Sequence, residues 1–311
     1  MTKTIAFSLV FLFVSHLGFC QVERTILHTA TGDIFGTLLL PAKSQHIPVV
    51  LLIAGSGPTD RDGNNPVMKN NSLKMLAEGL QKAGIASLRF DKRGIGESDN
   101  AMKKEADLRF EDYVKDVKEW IKLLSKDRRF SKLIVAGHSE GSLIGMMAVQ
   151  NEKKVTKFIS ISGAGQSADT LLKEQLSSQP AELKSSVYSM IDSLKHGDTL
   201  TNVPSMLYTL FRPSVQPYMI SWFKYDPQVE IKKVTVPILI IQGTKDIQVS
   251  VHQADLLCAA APQSQKSIIE DMNHVLKTST STDRSVQIKT YNDPDLPLNA
   301  EIVNAMVKFI K

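Results

Sequence analysis

Cysteine is nearly missing from this chain: of 311 residues only Cys20 and Cys258 are cysteines. A disulfide framework and a thiolate-rich metal site both need more, so neither is expected to hold the fold together. Tryptophan is equally sparse, with two residues, and aromatics do not interleave with the basic side chains. The net charge of +5 comes from lysines and arginines scattered along the chain, which fits a solvated surface and gives no footing for a nucleic-acid partner. No apolar run reaches the ~18–20 residues that a membrane-spanning helix requires. Internal repeats and low-complexity tracts are also lacking. What is left, 42% hydrophobic and 22% charged, is the composition of an ordinary globular protein.

The apolar run from Ile5 to Val14 follows Lys3 and leads to the small residues Gly18 and Cys20. That is the pattern of a secretory signal peptide. The bulky Phe19 argues against lipid attachment at Cys20, so cleavage after Cys20 is expected, giving a secreted or periplasmic chain. Loss of residues 1–20 removes one charged side chain, Lys3, and leaves Cys258 as the single thiol. Lying within the apolar "QADLLCAAA", Cys258 is expected to be buried and inert.

The periodicity of the remaining segments sets the fold class. "RTILHT" and "DIFGTLLLP" alternate in hydrophobicity about a turn-forming "ATG", which predicts an antiparallel hairpin. Continuous apolar runs follow at 49–55, 86–91, 132–137, 157–163, 237–243 and 267–270, as expected of strands covered on both faces. Helical patterns separate most of them. One starts at Asn71 or Ser72 and stacks Leu73, Leu76, Leu80 and Ala83 on one face; a second does so with Phe110, Val114, Val117, Ile121 and Leu124. This alternation predicts an α/β fold with a mostly parallel, doubly wound sheet, and places function on the loops that follow strands.

Residues 164–236 break the rhythm, with several helical pieces and no strand. An irregular loop of that length is improbable in a compact domain. Residues 21–163 and 237–311 are therefore expected to form one core, and 164–236 a helical cap inserted over the carboxyl edge of its sheet. Met206, Tyr208, Phe211, Tyr218, Met219, Trp222 and Phe223 lie in that insertion. Apolar residues at helical spacing mostly pack inward, so the larger part of them is expected to form the cap's own core and the rest to line a pocket.

The strand at 132–137 runs straight into Gly137-His138-Ser139-Glu140-Gly141, and a helix-prone stretch follows at once. A G-x-S-x-G between strand and helix forms a sharp turn that lifts the serine hydroxyl clear of the sheet, while the glycines remove side chains that would collide there. A hydroxyl needs a base to take its proton, and the base needs an acid to orient it. In such a sheet the acid and then the histidine follow the serine in sequence. Asp246 comes after the strand at 237–243, and His274 after the strand at 267–270. His28, His46, His196 and His252 do not follow the last strand, and the side chain of His138 should point away from that of Ser139. Glu270 and Asp271 lie too near His274 in sequence to reach the far nitrogen of its ring.

Developing negative charge on a substrate oxygen needs donors, here the backbone N–H of Glu140 and one from the loop "AGSGPTDRDGNN" after the strand at 49–55. Ser56 is the expected second donor, with Gly55 and Gly57 as neighbours able to serve. Asp60, Asp62 and Asn64 suggest a calcium loop, but Gly63 comes too early and the twelfth position is Asn71 where a bidentate Glu belongs. A polar loop held by Arg61 is expected instead, and no cofactor or metal is implied.

Taken together, "AGSGPTDRDGNN", "DKRGIGES", "GHSEG", "ISGAG", "GTKDIQV" and "NHVLK" extend over nearly all of the chain beyond residue 20, and in them it resembles the α/β-hydrolase family, specifically its bacterial secreted serine esterases. The resemblance implies Ser139 as nucleophile, Asp246 as acid, His274 as base, a small-molecule ester as substrate, and a scaffolding role for Asp91 and Arg93. It departs from the family pattern at Ala54, where a histidine often stands. A serine peptidase or amidase, an acyltransferase, a thioesterase, and a non-catalytic binding module of the same fold are the competing readings.

Overall fold

The computed structural model describes residues 21–102 and 104–311, so the expected signal peptide at 1–20 lies outside the described residues. The strands are β1 (Gln21–Thr29), β2 (Gly32–Leu40), β3 (Ile47–Ile53), β4 (Ala86–Phe90), β5 (Phe130–His138), β6 (Val155–Ile161), β7 (Ile238–Gly243) and β8 (Gln265–Ile269). They form an eight-stranded sheet in the order β1-β2-β4-β3-β5-β6-β7-β8. β1 and β2 make the expected antiparallel hairpin, and β2 pairs antiparallel with β4. All pairings from β4 to β8 are parallel. This is the α/β-hydrolase arrangement.

The helices are α1 (Ser72–Lys82), α2 (Phe110–Ser125), α3 (Glu140–Ala148), α4 (Ala168–Gln175), α5 (Ala181–His196), α6 (Tyr208–Phe211), α7 (Gln216–Trp222), α8 (Pro227–Ile231), α9 (Val251–Ala260), α10 (Arg284–Tyr291) and α11 (Ala300–Ile310). One face of the sheet packs on α2, α3, α8 and α9 through Phe110, Val117, Trp120, Ile121, Ile144, Ile231 and Leu257. The other is covered by α1 and α11, with Leu76, Leu80, Ile302, Met306 and Ile310. Burying each such side chain contributes about 1.5–3 kcal/mol, which is why the leucine stripes read from the sequence decide where α1 and α2 lie.

Between β6 and β7 come α4 to α8, the helical insertion. Its own core holds Phe211, Met219 and Phe223 with Val187, Ile191 and Leu194 of α5. Of the other aromatic and methionine side chains there, Met206 and Tyr208 are exposed, while Tyr218 packs with the main core and Trp222 leans against it.

Two expectations are corrected. β8 is the edge strand and largely exposed, and among the described residues no strand pairs with its outer side; a short apolar run does not by itself say that both faces are covered. Cys258 is half-buried, not buried, since α9 lies across the surface of the sheet with only part of its circumference covered. α10 and α11 had no counterpart among the segments recognised by periodicity.

The strand order fixes where a site can form. The chain steps from β3 outward to β4, then returns to the opposite side of β3 with β5. Loops leaving the carboxyl ends of β3 and β5 diverge there and open a crevice. Gly55-Ser56 leaves β3 and Ser139 leaves β5, so both border it.

Candidate active site

Ser139 sits between β5 and α3 with φ 54° and ψ −123°, a region that costs an L residue about 1–3 kcal/mol. The surroundings hold it there. Its N–H donates to the carbonyl of Ile161 at 2.9 Å. A Cβ on Gly137 would come within 2.0 Å of the carbonyl oxygen of Gly141, and one on Gly141 within 2.5 Å of that of Ile53. Both glycines are thus required by backbone crossing backbone, as the G-x-S-x-G spacing predicts. Gly55 is also tight: its Cβ would lie 3.1 Å from that of Ser139, so the β3 loop runs directly beside the hydroxyl-bearing residue.

The loops after β7 and β8 bring Asp246 and His274 together. His274 Nδ1 and Asp246 Oδ2 are 2.8 Å apart. The aspartate is fully enclosed and every acceptor position is used: Oδ1 takes the backbone N–H groups of Gln248 and Val249, and Oδ2 also takes Gln242 Nε2 at 3.0 Å. Burial alone pushes the Asp246 pKa up, but the charge and hydrogen bond of His274 and the two N–H donors outweigh it, and the carboxyl is held below its usual range. An ionised Asp246 fixes the Nδ1–H tautomer of His274 and leaves Nε2 free to accept a proton.

Ser139 and His274 border one cavity, together with Ser56, Thr59, Asn65, Gln248 and Tyr291. Among the described residues no hydrogen bond joins the Ser139 hydroxyl to the His274 ring, so Nε2 and the hydroxyl share the cavity without being locked together. Such contacts commonly tighten only around a bound substrate. A second cavity meets the first at Ser56, Ser139 and Gln248; it is the more apolar of the two, with Leu143, Leu171, Leu172 and Trp222 beside Gln166 and Gln175 in its wall. Ser56 and Glu140, the expected backbone donors, both line it. Among the described residues neither of their N–H groups has an acceptor, as expected of donors reserved for a ligand oxygen.

Three further side chains support these groups. His138 lies beside His274: its Nε2 is 2.8 Å from the carbonyl oxygen of His274, the two rings are 4.8 Å apart, and it borders the same cavity as Ser139. Burial, and then the neighbouring His274, push the His138 pKa down to about 3, so it is a neutral donor that pins the His274 loop. Asn273 anchors the same loop to α10 through Gln287 and Thr290. Lys92, from the "DKRGIGES" segment read as scaffolding, is buried behind the site. Its ammonium donates to the Gly55 carbonyl at 2.6 Å and to Glu140 Oε2 at 3.0 Å, and Glu140 Oε1 accepts from the Tyr218 hydroxyl at 2.6 Å.

The remaining expectations concern the rim. Asp91 accepts from Arg61, from the Arg61 backbone N–H and from that of Glu97, and Arg93 pairs with Asp116, so both are structural. Arg61 holds its loop as expected. Asp60 Oδ1 caps the turn by accepting from Asp62 and Asn64, and Asp62 pairs with Arg89, which commits these acids to the fold.

The family model described as serine aminopeptidase, S33, matches residues 69–205. The chain is 25% identical over 280 residues to Esterase EstD of Thermotoga maritima, an alignment covering 88% of this chain. It spans 65% of the length of that curated relative. Among solved structures, Est1E from Butyrivibrio proteoclasticus superposes with a TM-score of 0.59 at 16% identity, over 92% of this chain and 98% of that one. The Pyrococcus furiosus esterase Pf2001 does so with a TM-score of 0.56 at 15% identity, over 93% and 91%. At these identities the likeness to the solved structures is one of fold.

Proposed function

We propose that the chain is a hydrolase of carboxylic esters that works through an acyl-enzyme, with Ser139 as nucleophile, His274 as general base and acid, and Asp246 orienting it. The observation that carries this reading is the strained Ser139 turn bordering the same cavity as a His274 ring whose far nitrogen is fixed by a buried, ionised aspartate. The Ser139 oxygen attacks the ester carbonyl as its proton passes to His274 Nε2. The carbonyl oxygen takes on the charge, received by the N–H groups of Ser56 and Glu140. His274 then returns the proton to the departing alkoxide. Water repeats the sequence on the acyl-enzyme, frees the acid and restores Ser139. An alcohol that must meet His274 belongs in the polar cavity beside it, and the acyl group in the apolar one under Trp222. The relatives named as esterases agree with this reading.

An aminopeptidase, the activity named by the matching family model, would need a carboxylate to hold a free α-amino group. Among the residues lining both cavities only Glu140 is acidic, and its carboxylate is taken up by Lys92 and Tyr218. That favours esters over amino-terminal peptides. We further propose that the chain is exported, on the strength of the pattern in residues 1–20; a mature protein beginning at Gln21 is the expected mass-spectrometric result.

The test of the activity is labelling with a fluorophosphonate, beside turnover of p-nitrophenyl esters of graded acyl length and of aminoacyl anilides. One adduct on Ser139, lost in Ser139→Ala, with ester turnover far above anilide turnover, is expected. Folded protein that takes no label, or that prefers the anilides, refutes the proposal.

A further inference from the structure

Glu140, the residue that follows Ser139, places its side chain behind the site. Its backbone N–H faces the site while its carboxylate, 2% exposed, is sealed behind it with the Lys92 ammonium, 1% exposed. Lys92 reaches three partners from one position: the Gly55 carbonyl, Glu140 Oε2, and the face of the Tyr113 ring 4.8 Å away. Tyr218, on α7 of the insertion, closes the network by donating to Glu140 Oε1. Burial, with the nearby Glu140 charge, pushes the Tyr218 phenol well above its ordinary pKa, so it remains a donor at any working pH.

We propose that Lys92, Glu140 and Tyr218 are positioning residues that set both oxyanion donors and join them to the helical insertion, so that the seating of α7 tunes the rate of acyl transfer. The inference rests on the serine-hydrolase reading of the site. Two physical points carry it. First, the hole is built from two separate loops, and the network grips both: Lys92 holds the carbonyl of Gly55, the residue before Ser56, and Glu140 is held by two donors at the very residue whose N–H is the other donor. Donors fixed in advance stabilise a developing charge without reorganising, and misplacement by about 1 Å can cost 10²-fold in rate. Second, a bare carboxylate at position 140 would oppose negative charge forming beside it, and Lys92 cancels that charge. Tyr218 is also one turn from Trp222 on α7, with ring centroids 6.1 Å apart, and Trp222 walls the apolar cavity. Displacement of α7 by a bulky acyl group is therefore transmitted to the hole.

Tyr218→Phe removes one hydroxyl and keeps the ring packing. Expected are a drop in kcat of about tenfold for an acetyl ester, a KM within about twofold of wild type, and a transition-state-analogue trifluoromethyl ketone weakened in parallel with kcat/KM. The melting temperature should be unchanged to within a few degrees. Glu140→Gln, the second variant, gives up one carboxylate acceptor and leaves the buried Lys92 ammonium without its counter-charge, so a lower melting temperature is expected beside the drop in kcat. Wild-type kcat for the acetyl ester in either folded variant, or a loss confined to KM for long acyl chains, overturns the coupling and reduces Tyr218 to a wall of the pocket. Wild-type protein that neither takes fluorophosphonate at Ser139 nor turns over esters overturns the reading of the site and this inference with it, and is distinguished from failure of the coupling alone because there the wild type is active.

Discussion

Replacing His138 with glutamine removes a titratable group and keeps a side-chain N–H able to reach the His274 carbonyl. The expected consequence is a change in how stability depends on pH. A histidine in the unfolded chain takes up its proton near pH 6.5. Folded His138, buried and beside His274, resists until about pH 3, although its hydrogen bond at the His274 carbonyl and the charge of Asp246 pull the other way. Between those values the unfolded chain binds one more proton than the folded chain, so stability rises with pH through this window and is lost as pH falls below about 6.5. At pH 5, some one and a half units into the window and at ~1.36 kcal/mol per unit, the loss is about 2 kcal/mol. Urea unfolding at pH 7.5 and pH 5 measures it. Wild type should lose about 2 kcal/mol more than His138→Gln between the two, at equal m-values, with the glutamine variant the less pH-sensitive protein. Parallel losses in the two proteins would mean that His138 is protonated in the fold or open to solvent, and would refute its assignment as a neutral pin beneath the His274 loop.

Two other substitutions test the geometry independently. Asp246→Asn preserves shape but frees His274 to adopt the other tautomer, and should lower kcat by about 10³–10⁴-fold with KM little altered; an unchanged rate places the orienting acid elsewhere. Gly137→Ala sets a methyl group against the Gly141 carbonyl, where backbone on both sides cannot yield. We expect a loss of about 3 kcal/mol or more, read from chemical denaturation, and wild-type stability would contradict the turn described at Ser139.

How far each feature was legible depends on how local its cause is. The leucine stripes of α1 and α2 and the apolar runs of β3 to β7 are recorded within short windows of residues, because burial of one face or of both imposes a period on the sequence itself. The turn at Ser139 is equally local: two glycines excluded by backbone atoms only a few residues or one strand away. Topology then extended the sequence's reach, since in a doubly wound sheet a residue after a given strand must arrive at a known edge, and this sufficed to pick Asp246 and His274 from among many acids and six other histidines. Exposure of β8 and of Cys258 was not legible, because an edge is defined by what fails to pack beside it.

By itself, then, the sequence determined the α/β architecture, the place of the serine turn and the identity of the residues that the last two strands deliver. Only the tertiary structure decided what surrounds them: that Lys92 and Glu140 neutralise each other behind the loop after β3, that Tyr218 reaches across from the insertion, that His138 holds His274 by its carbonyl, and which of the insertion's aromatics face the cavity. These are contacts between segments separated by 37 to 136 positions. Their partners are set by how close-packed elements come to rest against one another, and no local period in the chain records that.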